Sequence, residues 1–138
     1  MRMLVSLLTL IFFTPINTDL FFDEPIKTIR LDAVYVAYAI GDDDWNDWQE
    51  SSAIILIREY SGRVSISIYA GEKMHYSIYS TDDYIDDDGD IVFVFDTISD
   101  KENRHIRFRL IVFNDSDLVQ FYVNDGSLNV VYIIGDIR

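Results

Sequence analysis

The chain reads as a single all-β domain, a meander of about eight antiparallel strands closed into a small up-and-down barrel. A two-sheet sandwich is the alternative. Three observations predict this class. From residue 19 onward there are 17 Ile and 10 Val against 6 Leu and 5 Ala, with 18 aromatics, and such side chains suit a pleated, half-buried surface. Apolar residues recur at every second position rather than at helical spacing. Turn signals separate these runs at nearly even intervals.

The elements follow in chain order. Residues 1–18 are expected to be a secretory signal peptide: Arg2 gives a positive start, residues 4–13 an uncharged and mostly apolar run, and Thr14-Pro15 a break before a polar stretch. That run is shorter than the roughly 20 residues a membrane-spanning helix needs. Thr18 is the expected last residue removed, leaving 19–138 as one domain. Such a length builds its own core without staples.

Residues 26–40 hold one long bent strand or two short ones. Residues 53–57 and 91–95 are continuously apolar, as in strands covered on both faces. Residues 64–68 put Val64, Ile66 and Ile68 on one face and two serines on the other. Met74, Tyr76 and Ile78 alternate with Lys73, His75, Ser77 and Tyr79. Ile106, Phe108, Leu110 and Val112 alternate with His105, Arg107, Arg109 and Ile111. Val119, Phe121 and Val123 face away from Gln120 and Tyr122, and residues 128–134 form the last strand. Ser61-Gly62, residues 70–72 and Asp125-Gly126 read as tight turns, the last because a type I′ turn needs φ > 0. Residues 99–103 and 114–117 read as longer polar turns.

From about Ile26 to Ile137 this layout resembles lipocalin-like and fatty-acid-binding barrels, and small secreted bacterial β-proteins. The resemblance implies a barrel that could carry a small apolar ligand. It carries over no functional residue. Trp45 and Trp48 sit in an acidic loop rather than in a glycine-x-tryptophan signature, and the C-terminal arginine-x-tyrosine pair is missing.

Composition excludes several function classes. The 24 acidic and 11 basic residues give a net charge of −13, which opposes nucleic acid and anionic membrane surfaces. There is no cysteine, hence no disulfide, thiol nucleophile, cysteine-held zinc or iron–sulfur cluster. A secreted chain without cysteine also suggests a bacterial exporter. Two histidines exclude a three-histidine site within one chain. No nucleophile elbow, phosphate loop or dinucleotide fingerprint is present, so no enzyme is expected.

What remains are candidate binding residues. Two acidic segments stand out, residues 41–48 and residues 81–90. In the second, Asp86, Asp88 and Asp90 could hold Ca²⁺ weakly, since a hard cation wants several oxygens on a loop. The register is not that of an EF-hand, because Gly89 at the sixth place puts Tyr84 at the first and Phe95 at the twelfth. The plain alternative is a solubilising turn. In a meander these two segments fall at opposite ends, so they are not expected to form one site. Trp45 and Trp48 could stack on a sugar or anchor a protein, or simply cap the barrel. Arg107 and Arg109 share a strand face. They would clamp a fatty-acid carboxylate if turned inward, or pair with acids such as Asp96 if turned outward. Tyr69, Tyr79 and Tyr122 are expected outside, on a surface able to meet protein or polysaccharide. The function expected is therefore that of an exported, non-enzymatic binding module for an unknown protein, glycan or small apolar ligand. No cofactor is expected other than weakly bound Ca²⁺.

Overall fold

A computed structural model describes residues 24–41, 44–126 and 128–138. The expected signal peptide, its Thr18 boundary, and Asp42 and Asp43 of the first acidic segment lie outside the described residues. The strands are β1 (Lys27–Ile40), β2 (Gln49–Glu50), β3 (Ile54–Tyr60), β4 (Arg63–Ala70), β5 (Glu72–Ile85), β6 (Ile91–Ser99), β7 (His105–Val112), β8 (Val119–Asp125) and β9 (Leu128–Ile137). Apart from β2, each pairs antiparallel with the next, and β9 pairs back onto β1. The result is a closed eight-stranded antiparallel barrel with one extra short strand. Ring closure removes the sandwich alternative and most sheet edges.

β1 is the single bent strand. Its first half pairs with β3, from Lys27↔Glu59 to Asp32↔Ile54. Its second half pairs with β9, as far as Ile40↔Leu128. Register shifts at Asp32/Ala33 and Ala33/Tyr35 make the bend, as bulges do. Gly135 of β9 lies against Val34 at this bend, and a methyl group there would collide with the valine side chain.

Inward rows fill the barrel. Tyr76, Phe108 and Phe121 stack through it, with ring centroids 4.9 and 5.4 Å apart. Phe95, Phe108, Phe121, Leu110, Ile55 and Ile66 have essentially no exposed surface. Each such side chain contributes about 1.5–3 kcal/mol by leaving water. Burial pushes the Tyr132 phenol up to about 12, helped by the neighbouring Tyr38 and Tyr76.

Three details differ from expectation. The acidic segment 81–90 is half strand: β5 runs on to Ile85, because β6 supplies ladder partners from Thr81↔Phe95 to Ile85↔Ile91 beyond a bulge at Ile78/Ser80. Only residues 86–90 turn. The last hairpin closes on Asp125↔Leu128, so Asp125 ends a strand rather than opening the turn. Ser65 and Ser67 are buried although they lie on the outward face. Their cross-strand neighbours are Arg58 and Ser77 for Ser65, and Leu56 and His75 for Ser67, and the Ser67 hydroxyl lies 2.9 Å from His75 Nδ1. The two acidic segments do lie at opposite ends. The loop after β1 is at the upper end, where β9 begins, and residues 86–90 are at the lower.

Candidate functional site

The outer wall carries a row of residues set by register alone. Ala37 of β1 opposes Val131 of β9, which opposes Tyr122 of β8, then Arg109 of β7, Val94 of β6 and Asp82 of β5. At one end of this row the side chains are small. The loop between β1 and β3 folds over them.

That loop is tied down by its backbone. Ala39 and Trp45 form an isolated antiparallel bridge. The Asn46 N–H donates to the Tyr38 carbonyl at 2.9 Å, and the Tyr38 N–H donates to Asn46 Oδ1 at 2.7 Å. β2 adds Gln49 and Glu50 to the edge of β1. Trp45 thereby meets the Tyr122 ring edge-on at 5.7 Å. Trp45, Asn46 and Trp48 border a cleft of about 250 Å³ whose floor and far wall are Ala37, Val131, Gln120 and Tyr122. The tryptophans remain 36% and 49% exposed, so neither is absorbed into the core. They cover the outer wall, not the barrel mouth.

Arg107 and Arg109 both point outward, because Ile106, Phe108 and Leu110 occupy the inward face. The clamp inside the barrel is therefore not formed. Arg107 Nε donates to Asp96 Oδ1 at 2.8 Å across the β6–β7 pair, and this partner holds its guanidinium charged more firmly than usual. Arg109 instead lies over the Tyr122 ring, its guanidinium carbon 4.9 Å from the centroid. Such a contact is worth about 0.5–1 kcal/mol at an exposed site. Both arginines also line a wider, polar groove that continues along the row to Asp82 and Tyr84.

At the lower end, one carboxylate oxygen from each of Asp86, Asp88 and Asp90 lies within 4.8 Å of the others. The charge suits a hard cation, but Ca²⁺ takes roughly six to eight oxygens. Part of the available set is already used. Asp86 Oδ1 accepts the N–H groups of Asp88 and Asp90, at 3.0 and 2.9 Å, and Asp90 Oδ1 accepts the Asn114 N–H at 2.9 Å. These bonds shape the turn.

The sheet also assembles groups that lie apart in sequence. His75 Nδ1 is 2.9 Å from Ser67 Oγ, and His75 Nε2 is 3.3 Å from Asp100. The order serine, histidine, aspartate is that of a hydrolase. Ser67, however, has no exposed surface, so its hydroxyl cannot meet a substrate carbonyl. The trio instead ties β4 and β5 to the β6–β7 turn. His105 pairs with the Tyr79 hydroxyl at 3.1 Å.

Glu59 escaped the sequence reading. It is 1% exposed, on the inward face of β3, and its Oε2 has no hydrogen-bond partner. Burial pushes its carboxyl up, against the opposing charge of Lys27 in the facing register position. Position parity with Ile55 and Ile57 was the signal available.

The fold is a small closed antiparallel β-barrel with an aromatic cleft on its outer wall. The chain matches no protein-family model, no curated protein and no solved structure.

Proposed function

We propose that the protein is a non-enzymatic binding module that recognises a saccharide through the cleft beneath Trp45 and Trp48. One observation carries this reading. Two half-exposed indoles are held over a floor of small side chains by backbone hydrogen bonds, beside the planar amides of Asn46 and Gln120. Indole faces stack on the C–H face of a sugar ring while amides meet its hydroxyls. Holding the loop in advance lowers the entropy lost on binding.

The alternative of an apolar carrier is less well supported, because Phe95, Phe108 and Phe121 occupy the space a ligand would need. Export follows in this proposal from the composition of residues 1–18. A Ca²⁺-dependent surface domain is the second reading, supported by the proximity of Asp86, Asp88 and Asp90.

The chain has two tryptophans and both border the cleft, so indole emission reports on this site alone. Titration with neutral and acidic oligosaccharides is expected to shift that emission. No shift with any oligosaccharide at millimolar concentration would overturn the proposal.

A further inference from the structure

We infer that the saccharide is acidic and that Arg109 holds its carboxylate; this rests on the binding-module reading above. The other outer-wall arginines near the row are already engaged. Arg107 is bonded to Asp96, Arg104 to Glu102 and Asp125, and Arg30 to Asp32. Arg109 has no carboxylate within ion-pair distance among the described residues, although the chain carries 24 acids to 11 bases. Its cross-strand neighbours, Val94 and Tyr122, carry no charge to neutralise it. One ring face of Tyr122 supports the guanidinium plane, which leaves the N–H fork free at the rim.

Arg109 stands where the two concavities meet. Tyr122, its support, lines the tryptophan cleft, and Arg109 itself lines the neighbouring groove. No carboxylate lines the tryptophan cleft. A sugar stacked under the indoles and reaching past Tyr122 would meet in Arg109 a cation with no carboxylate in ion-pair distance, in a groove that Asp82 and Asp96 also line. Guanidinium and carboxylate match as bidentate partners. A single arginine suits a single carboxylate rather than a polyphosphate. The net charge of −13 repels anions from a distance, so the ligand is held by contact, under screening that confines repulsion to about 8 Å at physiological salt.

The test uses pairs of ligands that differ only in charge: tetramers of galacturonate and mannuronate, and their methyl esters, followed by tryptophan emission and calorimetry. At least one free acid is expected to bind about tenfold more tightly than its ester, the size of one charge-assisted hydrogen-bond pair. Arg109→Gln should abolish that preference by lowering the affinity for the acid about tenfold, with only a small fall in the thermal midpoint from the lost contact with Tyr122. Arg109→Lys should restore part of it. Equal binding of acid and ester, or a preference that survives Arg109→Gln, would overturn this inference and leave the saccharide proposal standing. Binding of neutral cellotetraose or mannotetraose with no response to either acid would do the same. Silence from every oligosaccharide would overturn both.

Discussion

The two acidic segments have similar composition and opposite uses. Around residues 86–90 two of the carboxylates, those of Asp86 and Asp90, are structural. Asp86 closes the turn on two backbone N–H groups, and Asp90, largely buried, fastens the turn to Asn114 of the next loop. In the loop after β1, the bonds that hold the chain come from the backbone and from the amide of Asn46, and Asp44 and Asp47 are exposed. There the described acids, Asp44 and Asp47, are solvated, and the groups that border the cleft are indoles and amides. The worth of a carboxylate follows from what it touches and how deeply it lies, not from how many share its segment.

The largest test of this contrast is Asp90→Ala, which leaves the Asn114 N–H without its acceptor. A loss of roughly 1–3 kcal/mol is expected in urea unfolding; a loss under about 0.5 would erase the distinction between the two segments. Gly89→Ala should cost about 1 kcal/mol or more. Gly89 has φ +84° and an added Cβ would come within 2.9 Å of Asn114 Nδ2, a conformation and an approach that disfavour a side chain. An unchanged midpoint there would mean that the turn relaxes freely.

A smaller effect of opposite sign is expected at Glu59, a buried acid without a full set of partners. Its folded-state carboxyl lies above the ordinary value because of burial. The folded state therefore holds a proton that the unfolded state releases first. The contribution of this group to stability is greatest below the unfolded-state value and is lost as pH rises through the interval between the two. Glu59→Gln should flatten that decline and raise the midpoint at pH 8 relative to the parent. A parallel pH profile in the variant would show that Lys27 compensates the charge.

The smallest effects are those of Asp47→Asn and Asp88→Asn. Both residues are exposed, and each change should stay within about 0.5 kcal/mol. Calcium sharpens this last case. If the lower turn binds it, 1 mM Ca²⁺ raises the thermal midpoint by mass action, and Asp88→Asn removes the rise. A midpoint indifferent to both Ca²⁺ and chelator would eliminate the calcium reading.

Period-two alternation made the barrel legible. Val119, Phe121 and Val123 were readable as inward residues, as were Ile106, Phe108, Leu110 and Val112, because one buried face leaves a pattern along the strand. The outward direction of Arg107 and Arg109 followed from the same pattern. The Ser67–His75 contact was also within reach. A hairpin centred on Gly71 pairs residue 67 with residue 75, as the register has it. Asp100 was not, because its approach depends on the bulge in β5, which no local pattern announces. Nor was the cleft. Alternation gives Tyr122 and Ala37 an outward face but says nothing about a loop crossing above them. The extent of β5 was misread because Asp82 and Asp83 look like turn residues. Ladder partners on β6 overrode that preference, as tertiary context does for strand propensity.

β5 outruns its neighbour. β4 reaches it only over Glu72–Ile78, and among the described residues Ser80–Ile85 pair with β6 alone. This stretch is thus a short seam left in an otherwise closed wall, and an open seam is a template for another strand. Two adjacent aspartates, Asp82 and Asp83, sit on it. Two copies meeting antiparallel about that point would bring like charges face to face, which disfavours the pairing. Solubility of the barrel then depends on ionic strength as well as on sequence. Concentrated salt, or serine at both positions, should let two molecules join edge to edge, and light scattering would register the dimers so formed.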